Sequence, residues 1–118
     1  INNKNSLLIE KIIEKSTFTN RQIQIIYNIQ NKAGRLEEIS SGAYYREVKQ
    51  CKNKLRKLFY SIVLLNLMEI LDNEQLITLT SIVDKLNRLQ NNHDKYHDIN
   101  IDYVINVIDQ LFDKILFK

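Results

Sequence analysis

Apolar positions in the first thirty residues recur at helical spacing. Leu8, Ile9, Ile12 and Ile13 fall three and four apart while Glu10, Lys11, Glu14 and Lys15 face away, which predicts a helix over 6–16. A second start signal follows at Thr19: its hydroxyl can cap, Gln22 sits three residues on, and Phe18 and Ile23 are placed for a hydrophobic staple. The helix that begins at Asn20 carries Ile23, Ile26, Tyr27 and Ile29 and should stop at 31–34, with Gly34 free to take the left-handed position. Residues 35–39 then leave room for one short helical turn.

Ser40 and Ser41 are both capable N-caps, and no breaker appears before Leu71, Asp72 and Asn73. The pattern predicts a helix of about 30 residues, roughly 45 Å long at about 1.5 Å per residue. Its first half is amphipathic: Tyr44, Val48, Cys51, Leu55, Leu58 and Ile62 fall on one side, and Gly42, Tyr45, Arg46, Lys49, Asn53 and Arg56 on the other. From Leu58 onward Phe59, Tyr60, Ile62, Val63, Leu64, Leu65, Leu67, Met68, Ile70 and Leu71 wrap nearly the whole circumference, which implies burial on all sides. Asp72 with Gln75 can cap a following helix that runs to about Gln90 on Leu76, Leu79, Ile82, Val83, Leu86 and Leu89. A short strand over 76–80 is the alternative, without an evident mate. After a polar linker over 90–98, a last helix from about Asn100 places Ile101, Val104, Ile105, Ile108, Leu111, Phe112 and Ile115 on one face, with Asp102, Asp109 and Asp113 outside it.

Composition sharpens the fold class. Two glycines and no proline in 118 residues argue against sandwiches and barrels, whose tight turns lean on both. An all-α chain forming a single helical domain over 1–118 is expected. The longest apolar stretch, 58–71, is too short to span a bilayer and contains Ser61, Asn66 and Glu69. One cysteine, Cys51, cannot make an internal disulfide; with no secretory leader pattern in view, a cytoplasmic setting is expected.

The net charge of +3 is unevenly placed. Residues 1–40 carry six basic and four acidic groups, 41–71 six and two, and 72–118 five and eight, so the segments are +2, +4 and −3. The central charge is Arg46, Lys49, Lys52, Lys54, Arg56 and Lys57, opposed within that run only by Glu47. Such a basic stripe makes phosphate a natural partner, although a solvated helix face would carry the same lysines.

Candidates for chemistry are few. His93 and His97 lie four apart and would point the same way on a helix, but no third ligand accompanies them, so no metal site is expected. Cys51 falls on the inward side of the long helix, where a thiol behaves as a small apolar group. No phosphate-cradling glycine loop, no nucleophile with an evident base and no acid pair in a pocket-like context is present, and neither enzymatic activity nor a cofactor is expected.

Thr19, Arg21 and Gln22, followed later by Ile39, Ser40 and Ala43, form a combination that resembles the helix-turn-helix of sigma-factor C-terminal regions and response-regulator output domains. There a Thr-x-Arg-Gln or Thr-x-Arg-Glu opening caps the first helix, and Ile-Ser-x-x-Ala opens the recognition helix. The resemblance covers about residues 18–58. Where those families have a full middle helix this chain has only 35–39, and Tyr44 stands in place of a small aliphatic residue.

The resemblance and the charge select the same helix. The expected function is that of a small DNA-binding protein, a transcription regulator, that lays the basic face of 41–57 against duplex DNA. Ser41, Tyr45, Arg46 and Asn53 are placed to reach base edges, Gly42 to permit close backbone approach, and Lys49, Lys52, Lys54, Arg56 and Lys57 to neutralise phosphates. Residues 58–118 would supply packing and dimerisation helices, with Leu64, Leu67, Met68, Ile108 and Leu111 in a homodimer interface. The alternative is a helical protein-interaction module that binds no nucleic acid, its acidic last third and apolar helix serving a protein partner. Structured RNA is a third possible partner.

Overall fold

A computed structural model describes residues 6–32, 40–91 and 100–117. They form α1 (Ser6–Lys15), α2 (Asn20–Gln30), α3 (Ser41–Leu67), α4 (Asn73–Asn91) and α5 (Ile101–Leu116). The chain is all-α: no strand occurs among the described residues, and 76–80 lies within α4. No helix among them is long and apolar enough to cross a membrane.

Four of the five starts are made by side chains that satisfy otherwise orphaned N–H groups. The Thr19 hydroxyl accepts from Gln22 N at 3.1 Å while Gln22 Oε1 accepts from Thr19 N at 2.9 Å, a full capping box. Asp72 and Gln75 make the same reciprocal pair, at 2.8 and 2.6 Å. Ser40, rather than Ser41, caps α3 by accepting from Ala43 N, and Asn100 caps α5 by accepting from Tyr103 N.

The helix ends depart from the sequence expectation. α3 has 27 residues and stops at Leu67, short of the predicted 71. Glu69 adopts φ 60°, its N–H donates to Asn66 O, and the N–H of Ile70 donates to Leu65 O, which closes the helix as a Schellman motif. The Asn66 amide donates to Leu71 O and to Asn73 Oδ1, tying the end of α3 to the start of α4. At the end of α2 Lys32 takes a left-handed conformation, at φ 53°, two residues before the glycine expected to do so. Gly34, the turn at 35–39, most of the 90–98 linker and the pair His93 and His97 lie outside the described residues.

Packing is pairwise. The densest contact is between α2 and α3, where Ile25, Tyr44 and Cys51 form a buried cluster with Ile26, Ile29 and Val48 against it. α1 lies on α5, flanked by Lys11 to Asp102 at 3.8 Å and Lys15 to Asp109 at 3.5 Å. α5 also meets α4, where Gln75 Nε2 donates to Ile115 O. The result is open: the Cα radius of gyration is 16.6 Å, where a compact chain of this length has about 13.5 Å.

Candidate nucleic-acid interface

The candidate surface lies on the side of α3 that turns away from α2. Tyr44, Val48 and Cys51 recur three and four apart and go down onto Ile25, Ile26 and Ile29, with Ile25 and Cys51 each only 1% exposed. That burial fixes the rotation of the helix. Ser41, Gly42, Tyr45, Arg46, Lys49, Lys52, Asn53, Arg56 and Lys57 are then all exposed.

Three interactions arrange the charged side chains of this run. Arg21 of α2 grips Glu47 through two bonds, Nε to Oε1 at 2.8 Å and Nη2 to Oε2 at 3.2 Å, which neutralises the acid of the basic run. Lys54 departs from its expected role as a phosphate ligand: it is half-buried, donates to Gln22 Oε1 at 3.1 Å, and sits 5.3 Å from the centre of the Phe18 ring. Arg56 Nη1 donates to Asn53 Oδ1 at 3.1 Å, so these two neighbours on the face hold one another. Arg46, Lys49, Lys52 and Lys57 form no ion pair among the described residues.

Gln22 and Arg21 thus do more than open a helix. Gln22 closes the Thr19 cap, accepts from Lys54, and offers its carbonyl to the Cys51 thiol at 3.9 Å. The Cys51 and Lys54 contacts of Gln22, like the Arg21 to Glu47 pair, join residues 26 to 32 positions apart. The hint in the sequence was the basic run itself, in which Glu47 stands as a lone acid and needs a cation from elsewhere. Burial pushes the Cys51 thiol above its ordinary pKa; the Glu47 charge adds to this and Lys54 opposes it. This is the inert thiol expected of a core position.

Around Gly42 a Cβ would meet nothing within 4 Å. The protein's own packing therefore does not require a glycine there. Tyr45 stands edge-on to the buried Tyr44, ring centres 5.6 Å apart, which braces one aromatic side chain at the exposed start of α3.

The exposed stripe continues past the basic residues. Gly42, Arg46, Lys49, Asn53, Arg56, Tyr60, Val63 and Leu67 alternate four and three apart along α3, the spacing that keeps residues on one face over many turns. Its first five positions are glycine, cationic or amide; its last three are apolar. Beside the latter, Phe59, Leu64 and Met68 are also exposed. Burial on all sides, expected of 58–71, is thus not provided by the chain's own helices: only Leu71 of this stretch is buried. Of the five residues expected in a dimer interface, Leu64, Leu67 and Met68 are exposed, while Ile108 and Leu111 are half-buried on α5. Leu111 lines a groove of about 330 Å³ between α4 and α5 with Ile82 and Ile115.

Comparison with protein-family models, with curated proteins and with solved structures finds no match.

Proposed function

We propose that the protein binds duplex DNA through the first half of α3 and acts as a small transcription regulator of helix-turn-helix type. The observation that carries this reading is the shared exposure of Arg46, Lys49, Lys52, Arg56 and Lys57 on one rigid helix, with Glu47 withdrawn by Arg21. Cations held along a helix displace counterions from a phosphate backbone, which supplies affinity without sequence preference. Lys49, Lys52, Arg56 and Lys57 take this part. Arg46, in the second turn beside Gly42 and Tyr45, is placed to read a guanine edge in the major groove, with Ser41 and Asn53 as further polar contacts. α2 acts as the supporting helix that presents α3.

The test is a titration of duplex DNA at several salt concentrations. With four to six phosphates neutralised, log affinity should fall against log salt with a slope of about −4 to −5. Lys49→Ala and Lys57→Ala should weaken binding to all sequences alike and flatten that slope by about one unit each. Should the parent chain bind no duplex at low salt, or these variants bind as it does, the basic face is merely solvated and the reading fails. Preference for a structured RNA over every duplex would reassign the partner.

A further inference from the structure

We infer that the second half of α3 is the seam of a homodimer, in which two copies of this chain pair antiparallel with Tyr60 of one opposite Leu67 of the other and Val63 opposite Leu64.

The surface area leaves room for a partner of this size. The chain exposes 9180 Å², whereas a compact monomer of its mass exposes roughly 6,700 Å². The excess, roughly 2,500 Å² on one chain, lies at the upper end of the roughly 1,000–2,500 Å² that each partner gives up in a stable, permanent interface. Much of it is apolar and contiguous on α3, where Tyr60 is 76% and Leu67 75% exposed and Phe59, Val63, Leu64 and Met68 are exposed beside them. Soluble monomers rarely leave an apolar patch larger than about 300–600 Å² uncovered.

The sequence around the patch selects a second copy and its direction. Residues 58–68 carry no charge, and Tyr60, Val63 and Leu67 keep the four-three spacing of a helix-pairing seam. In a parallel pair that seam would run on into Arg56, Lys49 and Arg46, each set against its own copy. An antiparallel pair ends the overlap where those cations begin. It also brings Arg56 and Lys57 of each copy beside Glu69 and Asp72 at the other's helix end, an attraction the parallel arrangement lacks. The same acids work against an anionic lipid surface as the occupant. Arg56 and Lys57 sit where the two surfaces meet, whereas residues 41–53 stay outside the overlap and residues 60–67 carry no cation, so Leu64→Glu and Leu67→Glu report on the dimer and Lys49→Ala on nucleic-acid binding.

Sedimentation velocity of the full chain between 1 and 100 µM tests the seam. A dimer is expected in the low micromolar range. Leu64→Glu and Leu67→Glu, each entering the two-fold interface twice, should raise the dissociation constant by about 100-fold or more with the helical circular dichroism retained. Direction is read by mixing tagged Tyr60→Cys with untagged Leu67→Cys, oxidising, and running a non-reducing gel; Cys51 is left in place because it is buried. Tagged-to-untagged crosslinks are the expected product, and tagged-to-tagged crosslinks would overturn the antiparallel pairing. A parent chain monomeric at 100 µM overturns the dimer, whether it stays free or sediments with phosphatidylglycerol vesicles. So does a dimer unaffected by both glutamate variants. If those variants lose their helical signal, the parent's mass and the cysteine pair still decide.

Discussion

The two halves of α3 share one exposed stripe yet present opposite chemistries. Over 42–56 the stripe is glycine, arginine, lysine and asparagine; over 60–67 it is tyrosine, valine and leucine. Beneath the first half lies a packed floor: Tyr44, Val48 and Cys51 close against Ile25, Ile26 and Ile29. Beneath the second half the inward positions are less covered, with Leu58 and Leu65 half-buried and Ile62 exposed. The basic half is therefore complete within one chain, since its apolar side is satisfied and its charged side is solvated. The apolar half is not. Hydrophobic burial near 25 cal/mol per Å² remains available there to whatever covers it, which is why one half reads as a ligand surface and the other as an assembly surface.

The largest effect that would sharpen this contrast comes from the floor. Ile25→Ala empties a site that is nearly fully enclosed and should lower unfolding free energy by about 2–5 kcal/mol, measured by urea denaturation. Lys49→Ala, on the roof of the same half, should leave stability within about 0.5 kcal/mol. Comparable losses from both would mean that the basic face is part of the core after all. Next in size is Arg46→Ala, expected to reduce discrimination between a preferred duplex and one with a changed guanine by about 1–3 kcal/mol. Equal losses on both duplexes would demote Arg46 to a phosphate contact.

Smaller effects probe the start of the basic half. Ser40→Ala removes the acceptor of the Ala43 N–H and should cost about 1 kcal/mol of stability. Gly42→Ala should do the opposite, stabilising by about 0.4–1 kcal/mol, because nothing lies near the added methyl and the unfolded chain loses freedom. If it nonetheless weakens DNA binding, close approach of the first turn to the duplex is demonstrated by a variant that folds better than its parent. Last, the raised pKa of Cys51 makes its thiol a poor nucleophile in the folded chain. Alkylation at pH 8 should be slow until urea unfolds the protein. Because the folded-state pKa is the higher one, the contribution of the neutral thiol to stability is fully present below the unfolded pKa and disappears as pH rises through the folded value.

Helix starts were readable from the chain because their determinants are local. The hydroxyl of Thr19, the hydroxyl of Ser40, the carboxylate of Asp72 and the amide of Asn100 each cap a backbone N–H within three residues, and no distant segment can easily override such a bond. The inward face of α3 was readable for a similar reason: a spacing of three and four fixes which residues share a side. The absence of proline and scarcity of glycine set the class.

What lay beyond the sequence depends on which segments meet. Lys54 belongs to the basic run by composition, but only the docking of α2 reveals that it points to Gln22 and Phe18. The same docking pairs Arg21 with Glu47. A helix that is apolar all round implies burial on every side, whereas the tertiary arrangement spends its helices elsewhere, α1 on α5 and α5 on α4. Periodicity states how much surface a helix must hide; it does not state whose surface hides it, because covering a face is a property of neighbours brought together by the whole chain.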